Sequence, residues 1–230
     1  MHTAKSPKVV AIGESVGPQV YRILRERIIQ AELLPGERLS ESDAAKSLSV
    51  SRQPVREAFI KLSEEGLVQV LPQRGTFVTK ISVASVMDVR FVREAIEADI
   101  VRLVAEGHVP ETIAELRRQL AEQKKVPHDD RAAFLRLDEL FHHTLAAAAG
   151  KAYAWSVIES VKAQMDRVRF LSVDDMHIGR LIEQHERIVE GIAAGDKAVA
   201  EQAIRLHLRE ILTSLPAIAR SRAELFDDAE

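Results

Sequence analysis

Residues 33–78 read LLPGERLSESDAAKSLSVSRQPVREAFIKLSEEGLVQVLPQRGTFV, and the order of caps, stripes and turns in this stretch decides the fold of the N-terminal part. Ser40 or Ser42 can cap a short helix through Leu48, because a serine oxygen accepts from the orphan N–H groups of a first turn. Ser51 can cap the next helix, with Pro54 tolerated in its first turn. Val55, Ala58, Phe59 and Leu62 then recur at helical spacing as far as Gly66. Beyond Gly66 the pattern changes. Leu67-Val68-Gln69-Val70 and Thr76-Phe77-Val78 are β-rich runs around Pro72-Gln73-Arg74-Gly75, which reads as a hairpin. Upstream, Val20, Ile23, Leu24, Ile28 and Ala31 mark another helix that stops at Leu34-Pro35-Gly36. Three helices followed by a hairpin outline a winged helix-turn-helix.

The third helix carries the chemistry of this part. Arg52 and Arg56 share a face with Gln53 beside them, opposite the Val55/Phe59/Leu62 stripe. The helix can dock on its apolar side and present two guanidiniums and an amide. Those groups read guanine and adenine edges in the major groove of DNA. Ser51 and the helix N-terminus can accept a phosphate. Arg74, at the hairpin tip beside a permissive Gly75, is placed for the adjoining backbone or minor groove. The plainer alternative is a solvated face, with Arg52 and Arg56 paired to Glu57 or Glu41. Charge is distributed in keeping with the first reading: residues 1–80 carry +3 and the remainder −6, within a net charge of −3.

From Val83 onward no strand signal remains. About six helices are expected, with breaks near Gly107–Pro110, Val126–Asp130, Gly150, Val173–Asp175 and Gly195-Asp196. The expected fold is therefore mainly α: a winged helix-turn-helix followed by an all-helical bundle. The division is a flexible tail at 1–17, a DNA-binding domain at 18–81, a helical effector-binding domain at 82–222 and a tail at 223–230. The chain holds no cysteine, so disulfides and thiolate chemistry are excluded and any metal must take nitrogen and oxygen ligands. No apolar run is long enough to span a bilayer, and MHTAKSPKVV lacks the apolar core of a signal peptide, so no membrane partner and a cytoplasmic location are expected.

The helical part contains an anomaly. His185 interrupts the stripe Ile178, Leu181, Ile182, Ile188, Val189, Ile192, and His207 interrupts Ala200, Ala203, Ile204, Ile211. Asp138 lies among Phe134, Phe141 and Leu145, with His142 one turn later on the same side. A carboxylate in a core is costly unless it is protonated, paired or bound to a metal. Three imidazoles and a carboxylate form a credible shell for a divalent ion, zinc first, with nickel or manganese as alternatives. Singly, each histidine also reads as a hydrogen-bonded core residue, and Asp138 with His142 as a salt-bridged pair.

The segments PGERLSE, SVSRQPVREA, the EGL of LSEEGL, and RGTFV closely resemble, in order and spacing, the winged helix of the GntR family of bacterial regulators. That resemblance implies operator contacts by Arg52, Gln53, Arg56, Arg74 and Gly75. It departs at Ser42, where many members carry arginine, so any contact there is reduced to a hydroxyl–phosphate bond. LDELFHHTLAAAAG, EQHERIVEGIAAGD and AIRLHL resemble the FCD ligand-binding domain of the FadR-type subfamily, a bundle of six or seven helices. It implies a metal held by Asp138, His142, His185 and His207 that helps bind a small carboxylate effector. Lys151 departs from the usual asparagine at a helix junction. Arg93, in VREAIE, is the first candidate for the effector's carboxylate, its alternative being a pair with Glu97. Arg167 and Arg169 are weaker candidates, on different faces of one helix, so that at most one is expected to point inward.

These readings combine into a homodimeric repressor that binds double-stranded operator DNA and is released by a small organic acid, a sugar acid or another hydroxy acid. No catalysis is expected. The alternatives are a metal-dependent hydrolase fused to a DNA-binding head, for which no further general base is evident, and an acyl-responsive regulator without metal, in which the four ligand positions would be apolar.

Overall fold

Ser40 starts the second helix, accepting from Asp43 N at 3.3 Å to open α2, Glu41–Leu48. Ser42 does not cap; it is exposed and shares a hydrogen bond with Ser40. Ser51 stands at the N-cap position of α3, Arg52–Glu64, but its exposed side chain makes no capping hydrogen bond, contrary to expectation. The computed structural model describes residues 15–127, 129–172 and 175–227.

Helix α1, Val16–Ile29, begins inside the segment expected as a flexible tail, with Pro18 in its first turn, where no intrahelical bond is lost. Residues 1–14 of that expected tail lie outside the described residues. Val20, Leu24 and Ile28 of α1 are buried, as are Val55, Ala58, Phe59 and Leu62 of α3, and the two helices pack together. Arg25 Nε donates to Glu65 Oε2 at 2.7 Å and ties α1 to the end of α3. The strands β1 (Arg38–Leu39), β2 (Val68–Leu71) and β3 (Gly75–Val78) form an antiparallel sheet in the order β1-β3-β2, with Arg38 opposite Phe77 and Val70 opposite Thr76.

One further piece completes this unit. Ala223–Leu225 form a single 3₁₀ turn, and Phe226 bridges in parallel to Ile81. Ile81 N donates to Leu225 O at 2.9 Å, and Asp227 N donates to Ile81 O at 3.1 Å. Ile81, Leu225 and Phe226 are all buried. The expectation of a tail from residue 223 is thereby corrected: two large apolar side chains leave water when free backbone partners stand at Ile81. Residues 228–230 lie outside the described set. The chain thus divides into one compact unit up to Ser82, joined by the segment from Glu224, and a second over Val83–Ala223.

The second unit contains eight helices among the described residues, against about six expected: α4 (Val83–Gly107), α5 (Pro110–Gln123), α6 (Arg131–Ala148), α7 (Ala152–Val161), α8 (Ala163–Ser172), α9 (Asp175–Ala193), α10 (Lys197–Leu208) and α11 (Ile211–Ser221). The extra breaks have no glycine or proline to announce them. At the first, Lys162 separates α7 from α8 and directs a buried ammonium to Asp166 Oδ2 at 2.7 Å and Glu139 Oε2 at 3.0 Å. At the second, Arg209 and Glu210 separate α10 from α11; Arg209 is committed to Glu94, and Glu210 accepts from Arg180 and Gln184. The expected break near Val173–Asp175 falls on 173–174, outside the described residues.

Helix α4 is packed by α6, α8, α9 and α10. Val101, Leu116, Phe141, Leu145, Ile158, Ile188, Ile192 and Ile204 are fully buried around it. Helices α9 and α10 approach closely because position 191 has no side chain. A Cβ built on Gly191 would stand 2.7 Å from Ala200 N and 2.8 Å from Ala200 Cα. That approach brings His185 and His207 together.

Candidate functional site

Asp138 and His142 project from α6, His185 from α9 and His207 from α10, and all four are buried. One ligand atom from each lies within 4.8 Å of the others. His142 Nε2 and His207 Nε2 are 3.1 Å apart, and His185 Nε2 and His207 Nε2 are 3.3 Å apart. Phe141 stacks on the His185 ring at 4.4 Å between centroids and closes that side of the site.

Each imidazole is oriented from behind by an acceptor on its Nδ1. Glu97 Oε2 of α4 lies 2.5 Å from His142 Nδ1. Gln123 Oε1, at the end of α5, lies 2.9 Å from His185 Nδ1, and Gln184 Oε1 lies 3.1 Å from His207 Nδ1. Neither glutamine can turn its amide round without loss. Gln123 Nε2 donates to Leu137 O at 3.3 Å, and Gln184 Nε2 donates to Glu210 Oε2 at 2.8 Å. The two amide oxygens only accept, so the proton of the neutral His185 and His207 rings resides on Nδ1 and their Nε2 atoms are free to ligate. The Nε2 atoms of the three rings converge beside a carboxylate whose buried Oδ1 meets no hydrogen-bond donor among the described residues. This arrangement is complementary to a cation. The donor set therefore fits a metal, with the acceptor behind each histidine that metal-binding imidazoles require.

Electrostatics agree. Burial pushes His185 down to about 3, with the neighbouring His142 and Arg169 adding to the effect. His207 is held well below its ordinary value by burial and by His185 and His142. These two rings stay neutral and able to ligate. Burial opposes ionisation of Asp138, yet Arg169 and the imidazoles hold its carboxyl well below the usual range. Burial likewise opposes ionisation of Glu97, but Arg93 and His142 hold it down to about 2.

The three candidate arginines separate. Arg93 is buried, and its Nε donates to Glu97 Oε1 at 2.6 Å, so it backs the His142 side of the site. Arg169 donates to Asp138 Oδ2. Both line a cavity beside the cluster, together with Ser172, His207, Glu210 and Ser214. Arg167 is also buried, which lowers it to about 10, but it does not line that cavity. Both Arg167 and Arg169 are shielded from solvent, and of the two Arg169 pairs with Asp138 and lines the cavity. Glu97 is named from sequence only as the alternative partner of Arg93, a pair the structure contains, and Gln123, Gln184 and Glu210 are not singled out there. Glu97, Gln123 and Gln184 are polar interruptions of buried helix faces, the same signal that marks the histidines.

On the first unit, Arg52, Gln53 and Arg56 are exposed along α3. Glu41 binds both arginines, with Arg52 Nη2 at 3.3 Å and Arg56 Nε at 3.1 Å, and Gln53 donates to Glu57 at 2.9 Å. Arg74 is exposed in the turn between β2 and β3, and Gly75 takes φ +111°, a value L side chains rarely adopt. Arg38 of β1 lies over Gly75, where an added Cβ would meet its Nε at 2.9 Å, so a guanidinium not anticipated from sequence joins Arg74 at the wing.

Comparisons with known proteins follow the same division. The family model described as bacterial regulatory proteins, gntR family, matches residues 17–78, and that described as FCD domain matches residues 88–210. The chain is 38% identical over 219 residues to the HTH-type transcriptional repressor RspR of Escherichia coli (strain K12), covering 94% of this chain and 95% of that protein. It is 25% identical over 225 residues to the gluconate operon transcriptional repressor of Bacillus subtilis (strain 168), covering 94% and 91% respectively. Its fold is similar to that of E. coli McbR/YncC, with a TM-score of 0.72 at 22% identity over 91% of this chain and 99% of that one. Among the described residues no helix is long and apolar enough to cross a membrane.

Proposed function

Because the chain belongs to the GntR family of bacterial regulatory proteins and carries an FCD domain, we propose that this transcriptional regulator is a homodimeric repressor released from its operator by a small organic acid bound beside a divalent metal. Arg52, Gln53 and Arg56 then face base edges, while Ser42, Ser51, Arg74 and Gly75 meet the backbone and the adjoining groove. DNA takes over the partners that Glu41 provides to the two arginines. Two-fold symmetry of the dimer matches a palindromic site, and half-site spacing is sensitive to small rotations of the two heads.

The convergence of three imidazole Nε2 atoms beside Asp138 carries the metal reading. Asp138, His142, His185 and His207 would hold the ion. Three imidazoles and one carboxylate suit zinc, with nickel or manganese as alternatives. The ion would supply positive charge toward which a carboxylate is drawn, and Arg93 and Arg169 on the cavity wall would orient that carboxylate. A hydroxy acid is favoured by the Ser172 and Ser214 hydroxyls and the Glu210 carboxylate on the same wall, and by the gluconate operon in the name of one relative. The hydrolase alternative is disfavoured because Glu210, the carboxylate on the cavity wall, is engaged by Arg180 and Gln184. Glu97 stands behind His142 on the Nδ1 side, where it orients the ring and is turned away from the ligand side. The acyl-responsive alternative requires apolar residues at the four positions.

Elemental analysis of protein purified without chelators tests the reading, alongside Asp138→Ala and His185→Ala. The expected result is about one equivalent of metal per chain, lost in both variants. No metal in any sample would overturn it and reduce the four residues to a polar core network.

A further inference from the structure

Arg169 of α8 is drawn two ways. Its Nη2 donates to Asp138 Oδ2, and its Nη1 lies 3.9 Å from Asp166 Oδ1. The same side chain forms part of the cavity wall. The ion pair therefore engages one of the two oxygens of a proposed ligand, while the other, Oδ1, is 3.6 Å from His185 Nε2 and has no donor among the described residues. Arg93 differs. Its carboxylate partner, Glu97, sits behind His142 and outside the ligand set, so cation binding leaves that pair intact.

Resting on the reading that Asp138, His142, His185 and His207 bind a divalent cation, we propose that Arg169 is a hand-over residue. It balances Asp138 until the cation takes that carboxylate, and its guanidinium then turns to the carboxylate of the acid effector. Charge counting explains the order. Arg93 with Glu97 and Arg169 with Asp138 sum to zero. A divalent cation raises this set to +2 and releases one guanidinium into the cavity, so a site indifferent to acids becomes one that attracts them. Metal and acid are thereby coupled positively, and each tightens the other.

The test uses the full chain, stripped with chelator and dialysed, as wild type, Arg169→Gln and Arg169→Lys. Zinc affinity is read by competition with a chromophoric chelator. Removing the competitor for Asp138 should make Arg169→Gln bind zinc at least as tightly as wild type, by up to about tenfold more. Arg169→Lys, which keeps the charge, should match wild type. If Arg169 merely props up Asp138, Arg169→Gln should instead lose about 10- to 100-fold, which overturns the hand-over. Acid binding is read by calorimetry with D-gluconate, L-lactate and citrate. At least one acid should bind zinc-loaded wild type and fail to bind either stripped wild type or zinc-loaded Arg169→Gln. An acid response undiminished in Arg169→Gln overturns the hand-over while leaving the metal pocket standing. No zinc uptake by wild type, or no response to any acid, overturns the reading of the pocket and the hand-over with it. Circular dichroism confirms that each variant folds.

Discussion

Replacing Gly191 by alanine should weaken metal binding although residue 191 touches no ligand. The added Cβ would stand 2.7 Å from Ala200 N and 2.8 Å from Ala200 Cα, and both are backbone atoms that cannot rotate aside. Relaxing these contacts to ordinary van der Waals distance requires α9 and α10 to part by roughly 0.8 Å. His185 lies six residues before Gly191 on α9, about 9 Å along the axis, so a rigid shift of the helix reaches it nearly undiminished. Its Nε2 is 3.3 Å from that of His207 on the other helix. A metal site tolerates ligand displacements of only about 0.2 Å. The overpacking itself should cost about 1–3 kcal/mol. Urea unfolding of chelator-treated protein reads the second quantity, and zinc competition reads the first, with a loss of about tenfold or more expected. A variant with unchanged urea midpoint and unchanged zinc affinity would refute the reasoning, because the two helices would then have room that the backbone positions deny.

Other expectations follow from groups already described. Chelator-treated protein should lose stability as pH falls from about 6.5 toward 3. Burial first, then neighbouring charge, holds His185 down to about 3 in the fold against an ordinary 6.5, and His207 is lowered likewise. Over that window the unfolded chain takes up protons that the folded chain refuses, so stability rises with pH by up to about 1.4 kcal/mol per unit for each ring. Equal urea midpoints at pH 7 and pH 5 would contradict this. Arg52→Ala should weaken binding to a duplex selected from a random pool by about 1–3 kcal/mol at fixed salt. Its unfolding midpoint should barely move, since the exposed pair with Glu41 contributes about 1 kcal/mol at most. Equal losses on selected and scrambled duplexes would reassign Arg52 to a phosphate contact. Phe226→Ala should destabilise the first unit by about 3–5 kcal/mol, measured as earlier loss of DNA binding on heating, and an unshifted transition would sink that estimate.

The features legible in sequence were those written in local periodicity. Phe59 and Leu62 recur at helical spacing, Gly75 permits the hairpin, and Asp196 precedes a helix that it caps through Ala198 N and Val199 N. His185 and His207 were visible because an imidazole contradicts the stripe around it. What escaped depended on residues distant in the chain. Gln123 and His185 are 62 positions apart, so the glutamine's meaning exists only once α5 packs on α9. Lys162 breaks a helix because of carboxylates on α6 and α8, and nothing near it in the sequence says so. Leu225 and Phe226 read as part of a tail at 223–230 until Ile81 stands beside them.

That last contact also sets a clock on synthesis. Ile81 emerges from the ribosome long before Leu225 and Phe226, whose backbone and side chains it needs. At about 5–20 residues per second, the nascent DNA-reading unit waits roughly 7–30 s for its final piece, while the whole helical unit is made in between. A chain terminated anywhere within that interval carries a complete α3, with Arg52, Gln53 and Arg56 in place, on a unit whose edge at Ile81 is unpaired. Complete translation is thus written into the architecture as a condition for a fully closed reading head.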